Sequence, residues 1–196
     1  MKDRRLFLAI DLPSDAKETC GLLAQRLKKG GADVAWVAPD NFHLTLKFLG
    51  GVAEDRLPRI TDACAAVCRL HPPFSFSLEG LGAFPSINAP RVLWAGIATR
   101  DAALEKLAAD LEAALSALGF EKEDRPFHAH VTLGRVRSPR GRVFLMEALQ
   151  KEKSACTTPD IPARCVTLFE STLAPASGPT ARGALYTALA ALPLKT

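Results

Sequence analysis

Apolar and polar residues alternate over 42–49 with a period of two, which predicts a half-buried β-strand. Similar short apolar runs predict further strands, and longer amphipathic stretches between them predict helices. Gly30 and Gly31 end the first helix, and Pro72 and Pro73 follow the second. The predicted strands are 6–12, 34–37, 42–49, 74–78, 91–97, 130–133 and 164–169, with a C-terminal hairpin of 167–173 and 184–189; the predicted helices are 14–29, 54–70, 101–117 and 141–153.

A repeat with an offset of 87 residues runs through this pattern. At this offset His43-Leu44-Thr45-Leu46 falls on His130-Val131-Thr132-Leu133, and the helix at 14–29 falls on the helix at 101–117. Several matches at one ungapped offset predict an α+β fold with two pseudo-symmetric lobes. Each lobe is expected to be an antiparallel-leaning β-sheet backed by two helices, with a central cleft between the lobes. No linker separates the halves, so we expect one domain over 1–196, with lobes of roughly 1–86 and 87–196.

Composition narrows the class of protein. The 196 residues are 48% hydrophobic and 23% charged, with a formal net charge of +4. These proportions are typical of a soluble globular protein and exclude a disordered chain. No apolar run approaches the roughly 20 residues of a membrane span, and Asp11 interrupts the N-terminal run before it is long enough for a signal peptide. We therefore expect a cytoplasmic protein without a membrane partner, whose five cysteines are reduced.

Two of the predicted strands carry the pattern His-x-Thr-x. Residues i and i+2 of a strand project to the same face, so His43 and Thr45 project together while Leu44 points into the core. His130 and Thr132 repeat the arrangement. If the lobes face each other across a pseudo-twofold axis, two imidazoles and two hydroxyls meet in one cleft.

Two histidines and two threonines suit acid/base chemistry on a phosphodiester. Imidazole titrates at about pH 6.5, so one ring can be neutral and act as a base while the other is protonated and acts as an acid. Threonine hydroxyls can bind the non-bridging oxygens, where negative charge develops. No covalent nucleophile is needed, and the arrangement fits attack of water or a hydroxyl on a strained cyclic phosphate.

The alternative chemistry for these histidines is metal binding. His128 lies two residues before His130 on the same face, and with His43 the two would supply three zinc ligands. No carboxylate or cysteine motif accompanies them, and zinc binding leaves the paired threonines unexplained. We therefore predict no metal and no other cofactor.

The chain resembles the 2H phosphoesterase superfamily, and within it the RNA 2′,3′-cyclic phosphodiesterases that were once named 2′-5′ RNA ligases. The resemblance covers nearly the whole chain and is carried by the two His-x-Thr motifs with their flanking residues. The matching stretches are 5–13, Trp36-Val37, 41–50, 80–85, 90–94, 125–135 and 168–173. One departure is Ala129, where the family usually has proline before the second motif histidine; alanine relaxes the strand entry without removing a reacting group.

The resemblance implies a metal-independent hydrolase that opens the 2′,3′-cyclic phosphate end of RNA to a 2′-phosphate. It implies that His43 donates a proton to the leaving ribose oxygen and that His130 accepts the proton of water. Reverse 2′-5′ ligation is the side activity that the family would bring. The alternatives are a phosphodiesterase acting on a small cyclic nucleotide and a module that binds RNA ends without turnover.

Further residues are assigned by position alone. Arg135 and His128 are predicted to contact the RNA, and Arg135 begins a run with Arg137, Arg140 and Arg142 that contains no acidic residue. Phe48 has the opposite parity to His43, so we predict that it packs in the core. His71 precedes two prolines and is predicted to lie in a surface loop. A cleft formed by one chain needs no partner subunit, so we expect a monomer.

Overall fold

The computed structural model describes residues 3–153, 156–173 and 184–195. Within these residues the chain forms an α+β fold of strands and α-helices, with short 3-10 turns at Pro39–Asn41 and Glu54–Arg56. The strands are β1 (Arg4–Asp11), β2 (Val34–Trp36), β3 (His43–Val52), β4 (Phe74–Phe84), β5 (Val92–Thr99), β6 (His130–Val136), β7 (Ile161–Ala163), β8 (Cys165–Leu173) and β9 (Ala184–Pro193); the helices are α1 (Ser14–Lys28), α2 (Leu57–Cys68), α3 (Ala103–Ala117) and α4 (Arg142–Glu152).

All these strands join one antiparallel sheet, and its six inner strands, from β4 to β8, are related in pairs by the repeat. Among the described residues the order is β7-β4-β5-β6-β3-β1-β8-β9, with β2 added to β6. An 87-residue shift exchanges β3 with β6, β1 with β5, and β8 with β4, so it reverses this order. At the centre Leu44 pairs with Val131, two residues that are themselves 87 positions apart. The pseudo-twofold axis therefore passes between β3 and β6.

The two halves of the sheet do not follow the predicted division of the chain near residue 86. Strand β4 precedes that point but pairs with β5, and β8 follows it but pairs with β1. The helices are exchanged in the same way, since α2 packs on α3 and α1 packs on α4. We name the half with β3, β1, β8, β9, α2 and α3 the His43 lobe, and the half with β6, β5, β4, β7, β2, α1 and α4 the His130 lobe.

The core lies between the helices and one face of the sheet. Leu44 and Leu46 of β3 point into it, as do Val131 and Leu133 of β6, and all four are buried. Burial of such a side chain stabilises the fold by about 1.5–3 kcal/mol before entropic costs. The alternate residues of the same strands lie on the other face, which is where the motif side chains are found. No helix in the described part of the chain is both long and apolar enough to span a membrane.

Candidate active site

Identical backbone contacts hold the two motif histidines. His43 is the first residue of β3, and its Nδ1 lies 2.8 Å from the carbonyl oxygen of Asn41. His130 is the first residue of β6, and its Nδ1 lies 2.7 Å from the carbonyl oxygen of His128. A carbonyl can only accept, so Nδ1 donates in both rings and Nε2 is the nitrogen left for proton transfer. This shared contact fixes the tautomer and the ring orientation at both positions.

The central strand pair brings the four motif side chains together. Leu44 and Val131 are antiparallel partners, so the register places His43 beside Thr132 and Thr45 beside His130. All four of these side chains are half-buried, whereas Leu44 and Val131 are fully buried on the opposite face. The arrangement is an alternating square of two imidazoles and two hydroxyls, as the two motifs predicted.

A β-bulge at the same place in each lobe turns one more side chain onto this face. The pairing of β1 with β3 skips Leu46, and the pairing of β5 with β6 skips Leu133, which is the residue 87 positions later. A bulge reverses the alternation of faces beyond it. Phe48 is consequently 64% exposed, so the prediction that it packs in the core is wrong. Arg135, the equivalent of Phe48, is exposed as well.

Aromatic rings form a wall on each side of the site. The centroid of His43 lies 4.8 Å from that of Phe7 and 5.2 Å from that of Tyr186, which approaches edge-on. Phe169 stacks on Phe7 with centroids 5.2 Å apart. In the other lobe the ring of Phe84 lies 5.0 Å from that of His130, again edge-on.

The two walls are built from different residues at equivalent positions. Phe7 and Phe169 correspond to Trp94 and Gly82 at the 87-residue offset. A Cβ added at Gly82 would overlap the indole of Trp94. The glycine therefore makes room for the larger ring, and one lobe carries a Trp-Gly pair where the other carries two phenylalanines.

Burial lowers the pKa of both imidazoles below the usual value for histidine. Smaller effects then distinguish the two rings. The carboxylate of Asp11, which is paired with Lys17 at 2.8 Å, raises the pKa of His43, and the lysine lowers it. The charges of His128 and Arg135 lower the pKa of His130. A charge on His130 also lowers the pKa of His43, so the two rings lie close enough to interact electrostatically.

The other predicted residues are placed as follows. His128 is exposed at the rim, with its ring 5.2 Å from Phe84 and 5.0 Å from Trp94. Arg137, Arg140 and Arg142 lie beyond the cleft, in the connection from β6 to α4 and at the start of that helix. Among the described residues no group of three or more His, Cys, Asp or Glu side chains is arranged to hold a metal ion.

His71 differs from its prediction, because only 5% of it is exposed. Its Nε2 lies 2.9 Å from Oδ2 of Asp110 on α3. Helix α2 ends at Cys68, before the predicted end at residue 70 and four residues before the first proline, and the imidazole of His71 reaches α3.

Three residues near the motif side chains, Phe48, Phe7 and Tyr186, were not predicted from the sequence. Phe48 has the parity of a core residue in the sequence, but the repeat makes it equivalent to Arg135, since both stand five residues after a motif histidine. An arginine at the equivalent position is the signal that this position faces solvent. Phe7 looked like any other apolar strand residue. Tyr186 lies outside the repeated part of the site, so no internal comparison pointed to it.

Two stretches of the chain match one known family. The model of the family described as LigT like phosphoesterase matches residues 10–94 and again residues 97–179. The chain belongs to the LigT-like phosphoesterase family. The two matches begin 87 residues apart, which is the offset of the repeat.

Two relatives in this family share about a third of their residues with the chain. One from Geobacillus stearothermophilus, named RNA 2′,3′-cyclic phosphodiesterase, is 35% identical over 162 residues, which are 83% of this chain and 51% of that protein. The chain thus spans about half the length of that relative. One of the same name from Methanocaldococcus jannaschii is 34% identical over 175 residues, which are 89% of this chain and 95% of that one.

Solved structures of the family have the same fold as this chain. TT0787 of Thermus thermophilus superposes with a TM-score of 0.78 at 27% identity, covering 97% of this chain and 98% of that one. E. coli LigT, solved in complex with 3′-AMP, superposes with a TM-score of 0.72 at 28% identity, covering 99% of each chain. The likeness extends over both lobes, and the predicted α+β fold of two lobes backed by helices is confirmed.

Proposed function

We propose that the protein is an RNA 2′,3′-cyclic phosphodiesterase, which hydrolyses the terminal cyclic phosphate of RNA to a 2′-phosphate. The observation that carries the proposal is the central strand pair, where two His-x-Thr motifs meet at Leu44 and Val131. Both imidazoles present Nε2, since both Nδ1 atoms bind backbone carbonyls. The names of the relatives from Geobacillus and Methanocaldococcus support the substrate class.

The reaction needs one proton taken and one proton given. Nε2 of neutral His130 accepts a proton from water as the water oxygen attacks phosphorus. The bond from phosphorus to the ribose 3′ oxygen breaks, and Nε2–H of protonated His43 gives its proton to that oxygen. Thr45 and Thr132 donate hydrogen bonds to the non-bridging oxygens, where negative charge grows. The 2′-phosphate leaves, and exchange with solvent restores both protonation states.

The surrounding charges support this division of roles between two otherwise equivalent rings. A general acid must be protonated, and the carboxylate of Asp11 raises the pKa of His43 against the lowering effects of burial, Lys17 and His130. A general base must be neutral, and Arg135 disfavours a second positive charge on His130. Burial lowers the pKa of both, so these smaller effects act on rings that already titrate below the usual value.

Residues beyond the square supply the contacts to the nucleoside. The exposed ring of Phe48 is available for stacking on a base, and Arg135, on the equivalent position of the other lobe, is available for a phosphate. His128 at the rim is a further contact. All of these groups come from one chain, so the enzyme is complete as a monomer, and its five free thiols suit the cytoplasm.

The test uses an RNA that ends in a 2′,3′-cyclic phosphate, incubated with the wild-type protein, His43→Gln and His130→Gln in EDTA. We expect wild-type turnover to a 2′-phosphate and a fall of about 10²–10⁴-fold in kcat for each variant, because each loses one proton transfer. Circular dichroism and thermal unfolding establish that the variants are folded. Chromatography against 2′- and 3′-phosphate standards identifies the product.

Three outcomes would count against the proposal. Tight binding of the RNA without turnover by the wild type would make the protein a binding module. Turnover of a small cyclic nucleotide but not of RNA would change the substrate class. Activity that disappears in EDTA and returns with a stoichiometric metal would replace acid/base catalysis with metal-assisted hydrolysis.

A further inference from the structure

The connection from β6 to α4 carries an unusual concentration of positive charge. Residues 135–144 contain Arg135, Arg137, Arg140 and Arg142 and neither Asp nor Glu. This segment alone has a charge of +4, which equals the formal net charge of the whole chain. It begins beside the candidate active site, because the charge of Arg135 acts on both His130 and Tyr186.

These arginines have no acidic partner in the described part of the chain. Other arginines are paired, for example Arg4 with Glu170 at 2.6 Å and Arg26 with Glu152 at 3.2 Å. No carboxylate oxygen within residues 3–153, 156–173 and 184–195 lies within 4.0 Å of the guanidinium groups at 135, 137, 140 or 142. All four side chains are exposed. Their guanidinium groups therefore face solvent without a salt-bridge partner among the described residues.

The segment is nevertheless held in place by the loop after α1. The backbone N–H of Arg137 donates to the carbonyl of Asp33 at 2.9 Å, and the N–H of Asp33 donates to the carbonyl of Arg140 at 3.2 Å. The hydroxyl of Ser138 donates to the Asp33 carboxylate at 2.8 Å. Gly141 has a φ of +71° and lies so close to Ala32 that a Cβ would come within 2.7 Å of its Cα. The arginines thus project from a fixed backbone.

An exposed aromatic ring ends the segment. Phe144 is 63% exposed and Val143 is 64% exposed, although both lie in the first turn of α4. The backbone of Phe144 packs against Gly30, at the end of α1, where Lys28 and Lys29 are exposed. Exposed cations with an exposed aromatic ring in the same segment are typical of surfaces that bind single-stranded nucleic acid.

The repeat provides an internal comparison. At the 87-residue offset, 135–144 corresponds to 48–57, which leads out of the cleft over the His43 lobe. Residues 48–57 contain one arginine, Arg56, and two acidic residues, Glu54 and Asp55, so the segment carries a charge of −1. Glu121, Glu123 and Asp124 line the pocket beside this segment together with Lys47, Arg56 and Lys122, so its acidic and basic side chains are equal in number. A cyclic phosphate is the 3′ end of an RNA, so one strand leaves the site. Of the two equivalent segments, 135–144 is the one whose charge suits a polyanion.

We propose that Arg135, Arg137, Arg140, Arg142 and Phe144 form a track for the single-stranded RNA that precedes the cyclic phosphate. The inference rests on the proposed function and extends it from the reacting end to the body of the substrate. The arginines contact successive phosphates, and Phe144 stacks on a base beyond them. The track makes the enzyme prefer an RNA strand to a mononucleotide, because only the strand reaches past the cleft.

The experiment compares a ten-nucleotide RNA ending in a 2′,3′-cyclic phosphate with a 2′,3′-cyclic mononucleotide. The double variant Arg140→Ala/Arg142→Ala and the single variant Phe144→Ala are measured beside the wild type. We expect kcat/KM on the RNA to fall about tenfold for the double variant and about fivefold for Phe144→Ala, with turnover of the mononucleotide within twofold of the wild type. The slope of log kcat/KM for the RNA against log salt falls in magnitude by about 1.4, which is about 0.7 for each lost phosphate contact.

Matched controls come from exposed residues of α2 and the turn after it. Arg59→Ala/Arg69→Ala removes the same charge, and Leu70→Ala removes an apolar side chain that is 78% exposed. Neither is expected to change the preference for RNA. If Arg59→Ala/Arg69→Ala lowers kcat/KM on the RNA as much as the double variant does, the effect comes from the net charge of the protein, and the track is overturned. An unchanged salt slope in the double variant would also overturn the track. The same holds if the double variant turns over RNA as the wild type does but no longer binds an acidic peptide or an anionic vesicle.

The failure of this inference is distinct from that of the proposed function. If the wild type does not turn over the mononucleotide or the RNA, the proposed function is wrong. The track is then tested by measuring the affinity for RNA that ends in a 2′-phosphate, with the same variants and the same salt series. If log Kd depends on log salt with the same slope in the wild type and the double variant, the track is overturned. If turnover is present and the variants lose it equally on both substrates, the arginines act on the catalytic site and the track is wrong.

Discussion

His43 and His130 are held by the same backbone contact, yet their neighbours differ. Asp11 and Tyr186 lie beside His43, whereas His128, Phe84 and Arg135 lie beside His130. Different neighbours favour different protonation states of the two rings, so one ring is biased toward the acid role and the other toward the base role. In the proposed mechanism this asymmetry assigns the acid role to His43 and the base role to His130, while the symmetric part supplies the reacting groups.

The lowered pKa of His43 gives the proposed mechanism a specific dependence on pH. His43 must be protonated to act as the acid, and burial lowers its pKa below about 6.5. We expect kcat/KM for the cyclic phosphate to fall with rising pH along an alkaline limb below pH 6.5. The phosphate is negative and stabilises the imidazolium, so the limb in kcat should lie at higher pH than the limb in kcat/KM. Steady-state kinetics between pH 4.5 and 9 measure both.

Asp11→Asn is the informative variant for this profile. It removes the carboxylate that raises the pKa of His43 and leaves Lys17 unpaired, so both effects move the alkaline limb to lower pH. The mechanism assigns the acid limb to His130, whose pKa is lowered by burial and by the charges of His128 and Arg135, so we expect this limb to move less. A movement of both limbs together, or an alkaline limb of kcat/KM well above pH 7, would contradict the assignment of His43 as the acid.

At the scale of single elements, periodicity predicted the strands but not their irregularities. The faces of His43 and Thr45 followed from the period of two, and so did the burial of Leu44. The period fails at Leu46 and Leu133, where each strand has one residue more than its partner. Nothing in Leu46-Lys47 marks a bulge, since a bulge depends on the partner strand and not on the bulged residues. Phe48 was misplaced for this reason.

The contact between α2 and α3 gives an element-scale prediction. His71 is buried after α2 and bonds Asp110 of α3, 39 residues away, so no local pattern could have shown it. His71→Ala leaves a cavity and breaks this bond, and we expect the free energy of unfolding to fall by about 1–3 kcal/mol. Urea denaturation followed by circular dichroism measures the change.

Leu70→Ala is the neighbouring control for that measurement. Leu70 is 78% exposed, so its truncation should change the free energy of unfolding by no more than about 0.5 kcal/mol. Equal effects of the two substitutions would mean that His71 is a surface residue, as the prolines after it suggested. Asp110→Asn is less suitable, because Lys106 also bonds that carboxylate at 2.6 Å.

For the whole molecule, the repeat predicted two similar lobes but not which segments build them. The positions of β4 and β8 at the 87-residue offset were readable from the sequence, whereas their exchange between lobes was not. A strand pattern shows that a segment is half-buried and says nothing about its partner. As a result, the chain passes from one lobe to the other many times: β1 is in the His43 lobe, α1 and β2 are in the His130 lobe, and β3 returns.

This interleaving predicts that the two lobes unfold together. Unfolding the His130 lobe would remove α1 and β2, and these lie between β1 and β3 of the other lobe along the chain.

Four buried thiols report on the two lobes separately: Cys20 and Cys156 pack in the His130 lobe, and Cys64 and Cys68 lie on α2 in the His43 lobe. Burial raises the pKa of Cys20 and Cys64 to about 12 and that of Cys68 and Cys156 to about 11. A thiol reacts as the thiolate, so all four are inert in the folded protein.

Pulsed alkylation across a urea series, with each cysteine followed by mass spectrometry, therefore measures unfolding at four places at once. We expect all four thiols to become reactive at the same midpoint, which is the mark of one cooperative unit. Cys165 is only partly buried and serves as the reference for labelling without global unfolding. Two midpoints, one shared by Cys20 and Cys156 and another by Cys64 and Cys68, would show that the lobes open independently. In that case the pairing of Leu44 with Val131 would be a hinge, and the distance between the two motif imidazoles would depend on how far it opens.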